Sequence, residues 1–363
     1  MRGGVEDALQ RFWKSPPGEG WDPVRALSDR ASGVYLALLK RAAARAKKRA
    51  VRLEVPVISV GNLVTGGAGK TPLTLFLARK LAKHGPVAVL SRGYGGSRPA
   101  RAWERVPCQG SSRALAKYFG DEPVLMARKM PEVAVWVGAD RRLSGRAAVE
   151  AGARVVLLDD GFQHLKLQRD VDLVLLDASA PLGNGKLLPA GPLREPVEHL
   201  ERAHALILTR ARDQGVAEET RAGLRRRFPG KPVFICRHRL KELRRGEDGE
   251  AIPLEELRQG RAAAFAGIAR PREFLEDLKA LGVSLRAFRP FADHHFYRSG
   301  DLERLRNEFP GDVRWLITTE KDVVRLPSRP RNDVLRAPLE VDFGKDERPF
   351  LDFLHNSAGI PVT

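Results

Sequence analysis

A glycine-rich segment near residue 65 constrains the fold of this chain more than any other feature. The apolar run Val57-Ile-Ser-Val60 precedes the turn Thr65-Gly-Gly-Ala-Gly69, which Lys70 and Thr71 follow directly. In such a turn, backbone N–H groups converge on phosphate oxygens, the lysine reaches the β- and γ-phosphates, and the hydroxyl binds Mg²⁺. The segment therefore predicts a phosphate-binding loop between a strand and a helix.

The residues around this loop support the prediction. Leu73, Leu77 and Leu81 recur at helical spacing directly after it, as an amphipathic helix requires. The motif is imperfect, because Val64 stands where a strict G-x4-G-K-[ST] pattern has glycine. A glycine-rich turn without a ligand is the alternative interpretation.

Apolar runs alternate with helical or loop stretches after the loop. Continuous apolar strands of this kind suit a parallel sheet that helices cover on both faces. Ligands of such sheets bind at the carboxyl ends of the strands. We therefore predict a P-loop NTPase-type α/β domain with a mostly parallel sheet. The runs span residues 87–90, 133–137, 155–158, 173–176 and 205–208.

Composition divides the chain into three parts. Residues 211–250 are highly charged and poor in apolar side chains, as is typical of a domain junction. Beyond them, strand-like runs and helical patterns predict a smaller C-terminal α/β domain. We expect a membrane-associating segment at 1–52, a P-loop domain at 53–225 and the smaller domain at 226–363. The C-terminal patterns are strands at 262–269 and 313–319 and helices at 272–281 and 302–309.

The first segment combines apolar and basic residues as an amphipathic membrane-surface helix does. An apolar patch at 34–39 is followed by clustered lysine and arginine at 40–52. The apolar run is far shorter than the roughly 20 residues of a spanning helix. Trp13 and Trp21 suit a lipid headgroup interface, and the basic cluster would attract anionic lipids. A solvated basic helix packed on its own domain is the alternative.

Two acidic pairs indicate phosphate chemistry. Asp159 and Asp160 end the apolar run at 155–158, where a carboxylate next to a phosphate loop can orient a metal ion. Asp121 and Glu122 lie before an apolar helical stretch and could divide the roles of proton acceptor and Mg²⁺ ligand. A turn or a helix cap is the structural alternative for each pair.

Two adjacent histidines, His294 and His295, follow Asp293 in the C-terminal half. Histidine can shuttle a proton or polarise a carboxylate, so this loop is a candidate for acid–base chemistry. A pair of surface histidines without any catalytic role is the alternative interpretation.

The formal net charge of +18 calls for an acidic partner, such as nucleic acid, anionic lipid or a phosphorylated substrate. No DNA- or RNA-reading motif accompanies the charge, and aromatic residues do not alternate with basic ones, so we expect no nucleic acid partner. Cys108 and Cys236 lie far apart and near no His/Cys cluster, so the sequence suggests neither a zinc site nor a disulfide framework.

Many ordered motifs connect the chain to one family. They are Val60-Gly-Asn-Leu-Val-Thr-Gly-Gly-Ala-Gly-Lys-Thr-Pro72, Ser91-Arg-Gly-Tyr-Gly-Gly96, Gly120-Asp-Glu-Pro123, Leu158-Asp-Asp-Gly-Phe-Gln-His164, Gly191-Pro-Leu-Arg-Glu195, Phe265-Ala-Gly-Ile-Ala269, Phe291-Ala-Asp-His-His295 and Thr318-Thr-Glu-Lys-Asp322. In these motifs the chain resembles the tetraacyldisaccharide 4'-kinases, the lipid A 4'-kinases of Gram-negative bacteria, from residue 13 or so to residue 325. The loop of that family likewise lacks the glycine that Val64 replaces.

The resemblance implies an activity and a location. A member of this family is a lipid kinase that transfers the γ-phosphate of ATP, with Mg²⁺, to the 4'-hydroxyl of an acylated glucosamine disaccharide 1-phosphate. Because that lipid stays in the bilayer, the resemblance implies a peripheral enzyme on an anionic membrane surface, at the cytoplasmic face of the bacterial inner membrane. We expect a monomer.

The resemblance also implies roles for individual residues. Asp121 is the expected catalytic base and His294 its assistant, with His295 as the second candidate, and the second domain is expected to carry the histidine toward the P-loop domain. The expected ATP-binding residues are Thr65, Gly66, Gly67, Ala68, Gly69, Lys70 and Thr71. The candidates for the metal site are Thr71, Glu122, Asp159, Asp160 and Gln163. The expected glycolipid contacts are Arg92, Arg141, Arg194 and Glu195, with Lys321 on the same surface.

Two other classes of protein are alternatives to a lipid kinase. A membrane-associated P-loop ATPase that acts as a switch would share the phosphate loop and the basic helix, but would turn over ATP without an acceptor. A non-enzymatic protein that binds nucleic acid or lipid would leave the phosphate loop and the acidic pairs unexplained.

Overall fold

The protein is represented by a computed structural model, which describes residues 9, 11–13, 15, 22–99, 101–246, 249–258, 261–308, 313–327 and 333–362. The helices are α1 (Asp22–Lys48), α2 (Lys70–Ala82), α3 (Ser112–Phe119), α4 (Asp121–Lys129), α5 (Arg141–Glu150), α6 (Gln214–Arg227), α7 (Leu254–Arg258), α8 (Pro271–Ala280), α9 (Ser299–Glu308), α10 (Glu320–Val323) and α11 (Glu347–Ala358), and 3₁₀ turns cover Val197–Arg202 and Gly344–Asp346.

The strands alternate with these helices along most of the chain. They are β1 (Val57–Asn62), β2 (Val87–Ser91), β3 (Trp103–Arg105), β4 (Ala134–Gly138), β5 (Val155–Asp159), β6 (Val171–Asp177), β7 (Ala205–Thr209), β8 (Val233–Ile235), β9 (Arg237–Leu240), β10 (Leu243–Arg245), β11 (Ala251–Ile252), β12 (Ala262–Ala266), β13 (Leu285–Pro290), β14 (Trp315–Thr319), β15 (Val334–Ala337) and β16 (Leu339–Asp342).

The chain forms two compact units, each assembled from separate stretches of sequence. Unit 1 comprises Met1–Arg92, Glu132–His238 and Val341–Thr363. Unit 2 comprises Gly93–Pro131 and Arg239–Glu340. The units differ from the expected boundaries at 53–225 and 226–363. The difference arises because the stretch with Asp121 belongs to unit 2, while the C-terminal helix belongs to unit 1.

Unit 1 is built on parallel strands in the order β4-β2-β5-β1-β6-β7-β8. β1 lies between β5 and β6, and all six of its residues are buried. The chain enters the sheet at β1 and turns to either side of it, so the carboxyl end of β1 is the place where an open α/β sheet binds its ligand. The phosphate loop follows β1 at this place.

Two buried apolar clusters explain why the strands of unit 1 read as continuous hydrophobic runs. Val57, Leu90 and Leu158 belong to one cluster, and Leu176 and Leu208 belong to the other. Because helices follow the strands and cover the sheet, both faces of each strand need apolar side chains. The predicted strands of this domain and the helix after the phosphate loop are confirmed.

Helix α1 packs on unit 1 with one side and exposes the other. On the packed side, the Ser32 hydroxyl donates to the Leu187 carbonyl at 3.0 Å and the Tyr35 hydroxyl donates to the Arg194 carbonyl at 2.7 Å. The described helices include none that is long and apolar enough to cross a membrane. Trp13 donates its indole N–H to the Pro189 carbonyl at 2.9 Å, whereas Trp21 lies outside the described residues.

Unit 2 is built on a mixed sheet in the order β11-β10-β15-β14-β12-β13. β12, β13, β14 and β15 run parallel, and β10 pairs antiparallel with β15 and β11. Along β12, Ala264 and Phe265 belong to different apolar clusters, one on each face of the sheet. The predicted strands and helices of the C-terminal part are confirmed, although β12 ends at Ala266, before the expected residue 269.

Candidate active site

The phosphate loop of unit 1 takes the backbone geometry that its glycines allow. Gly66 and Gly69 have φ values of 99° and 82°, in the left-handed region that glycine adopts most easily. The Ala68 carbonyl accepts a hydrogen bond from the Thr209 hydroxyl at 3.0 Å, and the Thr65 N–H donates to the Pro192 carbonyl at 2.8 Å. The loop is thus held from outside while α2 begins at Lys70.

Val64 replaces the first glycine of the strict motif for a structural reason. It forms an antiparallel bridge with Leu193, so its backbone is extended rather than turned. A β-branched residue suits this conformation, and the bridge joins the loop to the segment that carries Arg194. The imperfect motif is therefore compatible with a phosphate loop.

Lys70 lies within reach of two oxygen atoms at the carboxyl ends of neighbouring strands. Its Nζ donates to Asn62 Oδ1 at 3.1 Å and lies 3.6 Å from Asp160 Oδ1. Asn62 ends β1 and Asp160 follows the last residue of β5. The Lys70 ammonium group therefore lies at the carboxyl edge of the sheet, where phosphate would bind.

Asp160 and Arg194 form a two-point ion pair in the same place. Arg194 Nη1 donates to Asp160 Oδ1 at 2.9 Å and Nη2 donates to Oδ2 at 3.2 Å. Burial raises the pKa of Asp160, but the Lys70 charge and the bonds from Arg194 outweigh it and hold the pKa at about 2. Gln163 joins the network, because its Oε1 accepts from Arg194 at 3.0 Å and its Nε2 donates to the Asn62 carbonyl at 3.0 Å.

Asp159 lies one residue earlier, at the end of β5, and is 3% exposed. Its Oδ1 accepts from the Thr74 hydroxyl at 3.4 Å and its Oδ2 accepts from the Ser91 hydroxyl at 3.3 Å. These bonds orient the carboxylate from α2 on one side and β2 on the other. In these contacts the Asp159 carboxylate accepts hydrogen bonds from hydroxyl groups, whereas the Asp160 carboxylate pairs with Lys70 and Arg194.

The donor set in unit 1 fits Mg²⁺ better than a metal that needs a closed protein cage. The described residues contain no group of three or more His, Cys, Asp or Glu side chains that could hold a metal ion. Mg²⁺ is commonly bound by one or two carboxylates, with water and phosphate oxygens as its other ligands. Asp159, Asp160, Thr71 and Gln163 offer oxygen atoms of this kind, and Asp160 is ionised at neutral pH.

Arg141 is a buried cation at the start of α5, only 5% exposed. Its Nη2 donates to the Asp159 carbonyl at 3.3 Å, and its Nη1 lies 3.5 Å from His164 Nδ1. Burial, and after it the Arg141 charge, lowers the pKa of His164 to about 3. Arg92 is exposed at the end of β2, and its charge contributes to lowering the pKa of Arg141, for which burial is the main cause.

Glu195 has a position that the sequence did not predict. Its carboxylate is 4% exposed and pairs with Arg202 at 2.6 Å and with His199 at 2.8 Å. These partners lie in the 3₁₀ turn that directly follows. The structure thus places Glu195 in a buried ion pair and not at an open surface.

In unit 2, Asp121 and His294 form a close pair. Asp121 begins α4 after Gly120, whose φ of 95° allows the sharp turn between α3 and α4. His294 Nδ1 lies 2.9 Å from Asp121 Oδ2, and Asp121 Oδ1 accepts from the Glu122 N–H at 3.0 Å. Asp121 is buried, while the side chain of His294 is 34% exposed. His294 is therefore the member of the pair that solvent or a substrate can reach.

The two members shift each other's pKa in opposite directions. Burial raises the pKa of Asp121, but the hydrogen bond from His294 and the nearby charges of Arg325, His294 and Lys321 lower it to about 2. The same hydrogen bond raises the pKa of His294 above its usual 6.5, against the effect of burial. The pair therefore holds a carboxylate next to an imidazole that gains or loses a proton at a pH above 6.5.

His295 belongs to a different set of contacts. Its Nε2 lies 3.1 Å from Asp301 Oδ2, and its ring stacks on Phe291 with centroids 4.8 Å apart. Adjacent residues in this loop point in different directions, because His294 has a φ of 58° in the left-handed region. Of the two candidate histidines, only His294 is paired with Asp121 among the described contacts.

Glu122 pairs with Lys321 across unit 2. Lys321 Nζ contacts Glu122 Oε1, and the Glu122 and Asp121 charges raise the pKa of Lys321 although burial lowers it. Two of the residues expected at separate sites, one for metal and one for glycolipid, thus form an ion pair with each other.

The chain was compared with known protein families, sequences and structures. A model of the family described as tetraacyldisaccharide-1-P 4'-kinase matches residues 27–358 of the chain.

The chain belongs to the tetraacyldisaccharide 4'-kinase family.

Relatives in that family share much of the sequence. The tetraacyldisaccharide 4'-kinase of Syntrophobacter fumaroxidans is 46% identical over 350 residues, which cover 95% of this chain and 91% of that protein. The enzyme of the same name from Rhodospirillum centenum is 38% identical over 336 residues, or 91% of each chain. A solved structure, LpxK from Aquifex aeolicus in complex with ATP, matches with a TM-score of 0.73 at 31% identity, covering 92% of this chain and 99% of that one.

Family membership decides between the functions that the sequence left open. The chain is a kinase of lipid A biosynthesis with a P-loop α/β fold, as predicted, and the ATPase switch is not favoured. ATP as co-substrate is supported by the ATP-bound relative.

In each unit, residues for which the sequence predicts no role contact the predicted site residues. Asn62, Thr74 and Ser91 orient Lys70 and Asp159, and Arg325 lies beside Asp121. Asn62 and Ser91 belong to two of the family motifs, and each is the last residue of its strand. A polar residue at the end of a predicted strand is the signal that could have identified them. No local signal marks Arg325, whose neighbours come from distant parts of the chain.

Proposed function

We propose that the chain transfers the γ-phosphate of ATP to the 4'-hydroxyl of tetraacyldisaccharide 1-phosphate, with the Asp121–His294 pair accepting the proton of that hydroxyl. The hydrogen bond of 2.9 Å between a buried carboxylate and a partly exposed imidazole is the observation that carries this proposal. Phosphoryl transfer to an alcohol needs a group that accepts the hydroxyl proton. Asp121 is the proposed base, and His294 is the group that polarises it and faces the substrate.

The phosphate loop and Lys70 are proposed to bind the triphosphate of ATP. Gly66 and Gly69 free the backbone N–H groups for phosphate oxygens, and Lys70 supplies a positive charge. We propose that Thr71, Asp159, Asp160 and Gln163 hold Mg²⁺, which when bound neutralises charge on the phosphate oxygens. Glu122 is a weaker candidate, because its carboxylate already contacts Lys321.

Arginine side chains near the carboxyl ends of β2 and β5 are proposed to contact the anionic lipid headgroup. Arg92 is exposed, Arg194 is partly exposed, and Arg141 is buried. Arginine binds phosphate through two parallel N–H groups, which suits the 1-phosphate of the substrate. Glu195, which is buried, is proposed to support the Arg194 segment through Arg202 and not to contact the sugar directly.

Helix α1 is proposed to dock the enzyme on a membrane. Val24, Leu27, Val34 and Leu38 share its outer face and are 46%, 69%, 63% and 58% exposed. Their spacing places them along one stripe of a helix, next to the basic residues at the end of α1. Such a helix binds an anionic bilayer surface without crossing it. We propose peripheral attachment of a monomer at the cytoplasmic face of the inner membrane.

The test of this function is transfer of labelled γ-phosphate from ATP by the purified protein in detergent micelles. With tetraacyldisaccharide 1-phosphate present, we expect label on the lipid. Release of label only as free phosphate, at a rate that does not depend on the presence of the acceptor, would contradict the proposal and support an ATPase. A matched acceptor lacking the 4'-hydroxyl is the control and should receive no label.

A further inference from the structure

Arg325 is a charged side chain that unit 2 buries completely. It is 0% exposed, and it follows the short helix α10. A buried guanidinium is costly unless its charge and its N–H groups find partners. The positions of those partners indicate what this residue does.

On one side, Arg325 binds a buried carboxylate and a backbone carbonyl. Its Nη2 donates to Asp322 Oδ1 at 2.7 Å and to the Gly267 carbonyl at 2.9 Å. Asp322 is itself 0% exposed and accepts from the Tyr297 hydroxyl at 2.7 Å and from the Gly267 N–H at 3.0 Å. These bonds hold the guanidinium in one orientation.

On the other side, Arg325 faces the Asp121–His294 pair. Its Nη1 lies 3.5 Å from Asp121 Oδ2, the same oxygen that His294 Nδ1 approaches at 2.9 Å. Nη1 makes no hydrogen bond to any part of the chain that the structure describes. Nη1 is thus a buried, charged donor beside Asp121 whose N–H groups bind no other acceptor among the described residues.

The Gly267 carbonyl connects the same guanidinium to the histidine loop. It accepts from Arg325 Nη2 at 2.9 Å and from the His294 N–H at 3.1 Å. Gly267 has no room for a side chain, because a Cβ there would lie 2.9 Å from the Tyr297 hydroxyl and 3.1 Å from Asp322 Oδ1. Arg325 therefore touches Asp121 directly and His294 through one peptide group.

We propose that Arg325 is a positioning residue that fixes Asp121 and His294 relative to each other, held in turn by Asp322 and Tyr297. The proposal rests on the role of Asp121 given under the proposed function. Its physical basis is that catalytic groups lose activity steeply with displacement, by roughly 100-fold for a shift of about 1 Å. Lysine in place of Arg325 keeps the charge but loses the fork that reaches both Asp121 and Asp322.

Arg336 offers a matched control in the same unit. It donates from Nη1 to Glu320 Oε1 at 2.8 Å, and Lys129 binds the other oxygen of Glu320 at 2.7 Å. This ion pair is also largely buried, with side-chain exposures of 13% and 7%. Arg336→Lys therefore disturbs a comparable arginine–carboxylate contact that does not involve the Asp121–His294 pair.

The experiment measures single-turnover phosphate transfer for Arg325→Lys and Arg336→Lys, each alone and combined with Asp121→Asn. We expect Arg325→Lys alone to lower the rate by about 10- to 100-fold, with little change in the ATP concentration that gives half the maximal single-turnover rate. In the Asp121→Asn background we expect almost no additional loss, because the residue that Arg325 positions is already inactive. Arg336→Lys should have a small effect that is the same in both backgrounds.

Equal losses from Arg325→Lys in the two backgrounds would overturn the positioning role and leave a general structural one. If Arg325→Lys does not fold, Tyr297→Phe tests the same proposal more mildly, since it removes one hydrogen bond to Asp322 and keeps the ring. Its loss should again vanish in the Asp121→Asn background, and a persistent loss would overturn the proposal. Full activity of Asp121→Asn alone would instead contradict the proposed base, so the two failures are distinguishable.

Discussion

Asp121 and His294 are 173 positions apart in the sequence, and Asp121 Oδ2 lies 2.9 Å from His294 Nδ1. Asp121 reaches this position because Gly120 permits a sharp turn into α4, where it occupies the first turn. His294 reaches it because its backbone is left-handed and its N–H donates to the Gly267 carbonyl. The contact within unit 2 thus depends on two local conformations in separate segments.

The first prediction concerns the pH dependence of turnover. The bond to Asp121 raises the pKa of His294 above 6.5, and a protonated imidazole on that carboxylate weakens the pair as a proton acceptor. We therefore expect kcat to increase with pH through a midpoint above 6.5. The measurement is kcat across the neutral range, with ATP and the lipid acceptor both saturating. His295→Gln is the control and should leave the midpoint of the pH profile unchanged. A kcat of the unaltered protein that falls as the pH rises through this range would contradict the assignment.

A second prediction concerns Mg²⁺. Asp160 is ionised, with a pKa of about 2, and lies beside Lys70 and Arg194. Asp160→Asn removes one charge from the proposed metal site, so the Mg²⁺ concentration for half-maximal activity should rise by about 10- to 100-fold. Asp170→Asn alters a carboxylate of unit 1 that pairs with Arg52, and serves as the control. An unchanged Mg²⁺ requirement in Asp160→Asn would remove this residue from the site.

The third prediction concerns membrane docking by α1. Replacing the exposed Leu27 and Leu38 together by serine removes two apolar side chains from the outer stripe. A buried leucine contributes about 1.5–3 kcal/mol, so partial insertion of both should make binding to anionic phospholipid vesicles at least about tenfold weaker. Vesicle sedimentation measures this. Val216→Ser, at an exposed apolar residue on α6, should bind like the unaltered protein, and an equal loss there would argue against a specific role for α1.

A fourth prediction concerns the stability of unit 1. His238 packs against Gly69 of the phosphate loop, and burial, followed by the Arg210 charge, lowers its pKa to about 4. Because the unfolded chain binds the proton at about 6.5, this neutral histidine contributes stability above that pH and loses it as the pH falls toward 4. The free energy of unfolding should therefore drop by about 1 kcal/mol or more between pH 7 and pH 5.

Replacing His238 should make that pH dependence smaller. Chemical denaturation of His238→Gln at both pH values measures the difference, with the exposed His84 changed to Gln as the control. The explanation would be contradicted if the His238 variant kept the full pH dependence of stability while the His84 variant lost it.

Local sequence predicted the parts of the site that local structure builds. Lys70 and Thr71 follow a glycine turn, and Asp159 and Asp160 end a buried strand, so their positions follow from the order strand, loop and helix. The choice between His294 and His295 could not be made this way, because it depends on the φ of a single residue.

Contacts between distant segments account for what the sequence did not predict. Glu195 is buried because Arg202 and His199 fold back onto it in the following 3₁₀ turn. The role of Arg325 depends on its contacts with Asp121, Asp322 and Gly267. Asp121 and Gly267 lie far from Arg325 in the sequence, so no local pattern predicts these contacts. The grouping of Gly93–Pro131 with Arg239–Glu340 has the same origin, since Asp121 pairs with His294 and Lys129 binds Glu320.

The measurement that tests the account most directly is the single-turnover rate of γ-phosphate transfer to tetraacyldisaccharide 1-phosphate by Asp121→Asn. Asparagine keeps the shape of the side chain and removes its capacity to take a proton. We predict a rate lower by about 10²- to 10⁴-fold with unchanged ATP affinity, while Asp301→Asn, beside His295, stays near the unaltered rate. An undiminished rate in Asp121→Asn would contradict the central claim that this carboxylate accepts the proton.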